Sequence, residues 1–451
     1  MTHEKFHYRT QEELEARAAE LGLHIPLAAD THVLAEPVSF AGRMVPNRLG
    51  IAPMEGADSL PDGRPSQLTY RRYTRYAESG ASVVWFEAIS LVPEGRSSRT
   101  QLYISKENLD DYKRLVETAK EAGLKKNGYE PFTVMQANHS GRYSNPDNHP
   151  APIIAERMPW LEQFRAADDS CIVTDDYLDR LVETFGEGAR LAKEAGFDAV
   201  DVKSSHGYLF QEMIGARLRP GKYGGSYENR TRLLKDSIAA AKREETDTFL
   251  VTSRIGIYDG YVYPYGFGVS EECPDAPDLA EPIRLLKELR DDHGLSMVCL
   301  TMGNPYATTH VTRPYDAGMY VPPEHPLEGI ARMCAGIGQV KAAVPEMTIF
   351  ASAPSYLRRY ADLYTAGCVE EGLCDGMLFG RLSFADPDFA NEILKTGRLD
   401  PKRVCLTCGK CGDLIRSHKP TGCVVRDSEV FVPFYKDYLE GRDSLPENFR
   451  G

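Results

Sequence analysis

No apolar run in this chain of 451 residues approaches the ~20 residues a membrane-spanning helix needs, so a membrane partner is not expected. The opening stretch, MTHEKFHYRTQEELEARAAEL, lacks the apolar centre of a secretion leader. Basic residues are in deficit: 53 Lys and Arg against 66 Asp and Glu leave a net charge of −13. Non-specific attraction to nucleic acid or to an anionic membrane is thereby disfavoured. There is no short-period repeat and no low-complexity linker, which argues against a solenoid or a tethered array. No GxGxxG follows an early strand, which argues against a dinucleotide-binding sheet. A cytoplasmic enzyme is the default expectation. Ten cysteines are present, but in a long chain without a leader they read as free thiols rather than a disulfide framework. Six (Cys171, Cys273, Cys299, Cys334, Cys368 and Cys374) are scattered, and the other four cluster near the C-terminus.

What is present is a regular alternation. Strand-like apolar runs fall at 49–53, 82–89, 132–138, 198–203, 248–255, 296–302, 348–353 and 376–380. Helical periodicity falls between them near 66–78, 108–121, 176–195, 227–242, 281–291, 327–342 and 355–366. Eight βα units in order predict a closed (β/α)8 barrel over 36–398. An N-terminal arm, 1–35, precedes it, and a four-cysteine extension, 399–451, follows. The arm carries a short helix over 10–22, with Thr10 and Glu13 spaced as a capping box and Gly22 as its stop. A hairpin turning at Ala41-Gly42 leads into the first barrel strand. Two irregular aromatic stretches, 143–175 and 258–276, follow strands and are expected to wall the barrel mouth.

The chain is organised around 197–232, FDAVDVKSSHGYLFQEMIGARLRPGKYGGSYENRTR. Its first residues read as a buried strand, and Lys203, His206 and Tyr208 follow at once. Three hydrogen-bond donors at a strand's carboxyl end occupy the place where a parallel barrel puts its chemistry. The segment ends in Tyr223-Gly224-Gly225-Ser226-Tyr227-Glu228-Asn229-Arg230-Thr231-Arg232. Together with Gly207-Tyr208-Leu209 it resembles the fourth strand and loop of the Old Yellow Enzyme family, the NADH:flavin oxidoreductases. Other strand ends match the same family: Ala52-Pro53-Met54, Pro93-Glu94-Gly95-Arg96, Gln136 to Arg142, Arg254, and Gly380-Arg381 with Ala385-Asp386-Pro387.

The resemblance implies an FMN-dependent oxidoreductase. Ala52, Pro53 and Met54 would lay backbone along the flavin, and Gln136 would meet its ring edge. Arg254 would face the negative charge of the reduced ring. Ala353, Gly380 and Arg381 would hold the phosphate at the seventh and eighth loops. The implied reaction is ene-reduction of an α,β-unsaturated carbonyl compound, an enone, enoate or dienoyl thioester. His206 with Lys203 would grip the carbonyl oxygen, and Tyr208 would protonate the α-carbon. Lys203 departs from the family, which usually has a histidine there; pairing with Glu87 is its other reading. An oxidative amine dehydrogenase or demethylase on the same barrel is one alternative, and a non-catalytic flavin- or ligand-binding barrel with zinc in its tail is another.

Cys405, Cys408 and Cys411 stand at CxxCxxC, and Cys423 follows. Four such thiols read as a metal or cluster site, with a [4Fe–4S] cluster or zinc both satisfying the pattern. The resemblance to the iron–sulfur dienoyl-CoA reductase and trimethylamine dehydrogenase branch implies the cluster. That branch continues into FAD and NAD(P)H domains, whereas this sequence continues for about 28 residues beyond Cys423. The expected electron source is therefore NAD(P)H at the flavin, or a separate electron-transfer protein feeding a cluster. A homo-oligomer is left open.

Overall fold

The computed structural model describes residues 3–273 and 276–442. The predicted hairpin is β1 (Val38–Phe40) and β2 (Arg43–Val45). Ala41 and Gly42 both take positive φ, 48° and 73°, the mirror-image turn that matches strand twist in a two-residue loop. Eight strands follow: β3 (Leu49–Ile51), β4 (Val83–Ser90), β5 (Phe132–Asn138), β6 (Ala199–Val202), β7 (Leu250–Gly256), β8 (Met297–Thr301), β9 (Thr348–Ser352) and β10 (Gly376–Phe379). They close into a barrel, each paired in parallel with the next and β10 with β3. All eight coincide with the strands expected from the sequence.

The barrel interior is layered by the two-residue period of its strands. Near the amino ends, Val83, Trp85, Phe132, Val134, Ala199, Leu250, Met297, Cys299, Phe350 and Leu378 form one apolar cluster. The hairpin plugs this end: Val38, Phe40 and Val45 join the cluster, and the Phe40 ring meets Phe132 edge-on at 5.1 Å. Two residues further along each strand the same side becomes polar. Val134 gives way to Gln136, Cys299 to Thr301, Phe350 to Ser352 and Leu378 to Gly380, all four on one cavity. The apolar floor thus faces a polar rim.

The helices wrap the barrel. Asp175–Glu194 is capped by the Thr174 hydroxyl and buries Leu178, Leu181, Phe185, Ala189 and Ala192 along one stripe. In the N-terminal helix, Gln11–Glu20, Thr10 accepts from the Glu13 N–H as expected, while the Glu13 carboxylate takes the Arg9 N–H at 2.7 Å. Leu109–Asn127 outruns its predicted end because its last turn is charged; Gly128, at φ 79°, stops it. The helix expected over 355–366 begins at Ala361. Before it lies a 3-10 stretch broken at Arg358 (φ 51°), whose guanidinium pairs with Asp316 and donates to the Leu406 carbonyl. Tertiary partners there override local helical preference. Among the described residues no helix is long and apolar enough to cross a membrane.

Candidate active site

A cavity of about 1100 Å³, counted out to its open mouth, sits at the carboxyl ends of the strands. Ala52, Pro53, Met54, Gln136, Lys203, His206, Tyr208, Arg254, Ala353, Gly380 and Arg381 all line it. Every flavin-contact and substrate-contact candidate from the sequence is thus brought to one place.

The turn after β6 aims the donors. His206 and Gly207 both have positive φ, 66° and 70°. A side chain rarely tolerates that conformation, so His206 is held in strain of a kind found at functional sites. Gly207 has no alternative, since a β-carbon there would lie 2.1 Å from Asn304 Nδ2. Ala353, at the end of β9, is likewise left-handed (φ 70°). Burial holds the His206 imidazole well below its ordinary pKa, reinforced by Arg254, Lys203 and Arg313, so it is neutral at pH 7. Its Nε2 lies 3.5 Å from the Thr301 hydroxyl. Burial pushes the Lys203 ammonium down to about 8; Glu55 opposes the shift and Arg254 adds to it. Lys203 Nζ lies 3.9 Å from the centre of the Tyr208 ring.

Beneath the cavity floor a buried carboxylate sets the register. Asp201 accepts from Trp85 Nε1 at 2.8 Å, Gln136 Nε2 at 2.7 Å and the Arg254 N–H at 2.7 Å. Burial raises its pKa to about 6, with the Gln136 bond opposing. Gln136 spends one N–H on Asp201, which leaves its carbonyl oxygen and its second N–H for a ligand. Arg254 Nε is buried without a partner.

Glu55 follows the Ala-Pro-Met motif directly, yet sequence reasoning passed over it. It accepts the Tyr208 phenol at 2.8 Å and the Ser97 hydroxyl at 2.8 Å. Tyr306, from the loop after β8, lies 3.1 Å from the Tyr208 oxygen and stacks on Tyr143 at 3.9 Å. Burial, then Glu55 and Tyr306, push Tyr208 well above the usual tyrosine pKa. The Glu55 loop is anchored from behind: Glu87 accepts the Gly56 N–H at 2.8 Å and pairs with Arg72 at 3.0 Å, and Arg72 also pairs with Asp58.

Three expectations are corrected. Lys203 does not pair with Glu87, whose carboxylate is taken by Arg72, Tyr73 and Gly56. Of the two loops, 143–175 reaches the mouth through Tyr143, Phe164 and Arg165, which wall an outer vestibule. The stretch 258–276 packs behind instead, with the Tyr261 hydroxyl accepting from Asn304. Its place on the wall is taken by Pro305, Tyr306, Thr312 and Arg313, and by Cys411, Gly412, Ile415 and Arg416 of the tail. The third concerns the four tail thiols. Cys405, Cys408, Cys411 and Cys423 do line one small recess, with Arg381 and Phe384. Among the described residues, however, no group of three or more His, Cys, Asp or Glu side chains is gathered to hold a metal ion. Neither the [4Fe–4S] cluster nor zinc is supported. Burial favours the neutral thiol, raising Cys405 to about 12.

The model of the NADH:flavin oxidoreductase / NADH oxidase family matches residues 33–305. The chain belongs to this family. An NADPH dehydrogenase of Geobacillus sp. (strain WCH70) is 32% identical over 254 residues, covering 55% of this chain and 70% of the relative. Among solved structures, a 2-naphthoyl-CoA reductase complex superposes with a TM-score of 0.72 at 18% identity, over 90% of this chain but 58% of that one. An Old Yellow Enzyme homologue from Zymomonas mobilis gives 0.61 at 20% identity, over 81% and 94%. At such identities the two structures speak for the fold. Membership of the NADH:flavin oxidoreductases makes the protein a flavin-dependent oxidoreductase. The rim fits FMN: an orphaned buried Arg254 donor, an open Gln136 acceptor and Arg381 line a single cavity.

Proposed function

We propose that the protein is an FMN-dependent ene-reductase. Its substrate class is an α,β-unsaturated carbonyl compound, and its electron donor is NAD(P)H, with NADPH favoured by the NADPH dehydrogenase relatives. The observation that carries the reading is the placement of Lys203, His206 and Tyr208 on the same cavity as Gln136, Arg254 and Arg381. Bound FMN supplies a hydride. Arg381, with the backbone of Ala353 and Gly380, would hold its phosphate, Arg254 would offset charge on the ring, and Gln136 would accept from the ring edge.

The chain's own part is polarisation and proton delivery. His206, neutral, has one ring N–H to donate to a carbonyl oxygen, and Lys203 adds positive charge as an enolate develops. Tyr208 gives its phenolic proton to the α-carbon. A phenol with a raised pKa protonates only a basic carbon, which an enolate carbon is.

An amine-oxidising reading draws on one observation, the wall of Tyr143, Tyr208 and Tyr306 with Glu55 beside it, a surface suited to a cation. Lys203 already occupies the face of Tyr208 and would repel that cation, so this reading ranks second. The test is Tyr208→Phe in the FMN-loaded enzyme. Alkene reduction should fall roughly 10²-fold or more while flavin reduction by NADPH stays unchanged. Unchanged alkene reduction would remove Tyr208 from the mechanism, and a protein that cannot be loaded with FMN would end the reading.

A further inference from the structure

We propose that Glu55 re-protonates Tyr208, with the proton drawn from the vestibule at the barrel mouth. The inference rests on the ene-reductase reading and supplies what that reading lacks, a route by which the spent proton is replaced. Tyr208 is 4% exposed. It lines the inner cavity, whereas the vestibule is walled by Glu55, Ser97, Ser98, Tyr306 and Arg416 among others. Glu55 and Tyr306 line both spaces. Glu55 spans the boundary with its two oxygens: Oε1 takes the Tyr208 phenol at 2.8 Å and Oε2 takes Ser97 Oγ at 2.8 Å.

The other neighbours of the phenol are poorer proton sources. Tyr306 is itself a half-buried tyrosine, its pKa raised by desolvation and by Glu55. Lys203 stands over the ring face rather than at the phenolic oxygen. A carboxyl group exchanges protons with water near neutrality far more readily than a phenol.

Formation of the C–H bond at the α-carbon breaks the Tyr208 O–H bond and leaves a phenolate beside the Glu55 carboxylate. A hydronium ion in the vestibule protonates that carboxylate, forming its O–H bond and leaving water. That O–H bond then breaks as the proton passes to the phenolate, which restores the Tyr208 phenol and the Glu55 carboxylate that accepts from it. One solvent proton is consumed for each hydride delivered. Until that transfer, phenolate and carboxylate face each other across a single hydrogen-bond distance, and each raises the other's affinity for the vestibule proton.

The experiment uses the FMN-loaded protein reduced by NADPH, with 2-cyclohexen-1-one as the alkene and 1,4-benzoquinone as an oxidant that needs no proton on carbon. Glu55→Gln keeps a carbonyl acceptor for one of the two hydrogen bonds but cannot take up a proton and pass it on. It should slow steady-state turnover with the enone roughly 10²-fold, with flavin reduction and turnover with the quinone unchanged. Acetate should restore the enone rate of Glu55→Ala in proportion to its concentration. A readout independent of turnover is the titration of ¹³Cζ-labelled tyrosine, with Tyr208 assigned by Tyr208→Phe. Its pKa should fall in Glu55→Gln, because a neighbouring negative charge is removed. A wild-type enone rate in Glu55→Gln overturns the relay. So does a slow variant with no acetate rescue and an unmoved Tyr208 titration, which is the pattern of a merely structural residue. If Tyr208→Phe also reduces the enone normally, the parent reading fails rather than the relay alone.

Discussion

Arg72→Met tests the support beneath the Glu55 loop. Arg72 is 8% exposed and bridges Asp58 and Glu87, which are 2% and 1% exposed. Its guanidinium packs so closely on Gly56 that a β-carbon there would come within 2.1 Å of Cζ. The methionine replaces the aliphatic stem but leaves two buried carboxyls without their cation. Breaking a buried pair from one side costs about 3–5 kcal/mol. Urea unfolding should show that loss at pH 8 with an unchanged m-value. Burial already lifts Glu87 to about 7, and Arg72 is the largest influence holding it down. Without Arg72 its folded pKa rises further above the unfolded value, so the folded variant is penalised as pH rises toward 8 and relieved near pH 5, where the carboxyl is neutral. The loss should therefore be smaller at pH 5. The triple variant Arg72→Met, Asp58→Asn, Glu87→Gln should recover most of it, because no buried charge remains. A single variant within about 1 kcal/mol of wild type at pH 8, or a triple variant no better than the single, would refute the reasoning.

The other predictions are narrower. The Lys203 cation is present below about 8 and lost above it, so kcat/KM for an enone should fall as pH rises through that value. Lys203→Met should abolish that limb of the pH profile. Burial raises Asp259 from 3.8 to about 7, so between those values the folded protein keeps a proton the unfolded chain has lost. Stability from this group therefore falls as pH rises from 3.8 to about 7, and Asp259→Asn should flatten thermal melts across that window. Gly207→Ala forces a side chain into positive φ against Asn304 and should cost about 1–3 kcal/mol. Its alkene half-reaction should slow more than its flavin reduction in rapid mixing, because His206 and Tyr208 flank the substituted residue.

Eight apolar runs alternating with helical periodicity were enough to predict the barrel. Once those runs are strands, side-chain parity puts Gln136, Lys203, Arg254 and Gly380 on one side, because it is a local property of a strand. The hairpin turn at Ala41-Gly42 was legible for the same reason. The pairings were not. Nothing in the order of residues says that Glu55 meets Tyr208, 153 positions away, or that Arg72 rather than Lys203 takes Glu87. Those contacts depend on how separate loops close over the rim, where backbone is irregular and each carboxylate goes to the cation or hydroxyl that reaches it with least desolvation. The wall built by 302–325 and the tail, and the four thiols that share a recess without gathering as a metal site, were decided at that level alone. Strand parity is a short-range constraint; partner choice among buried charges is a long-range one.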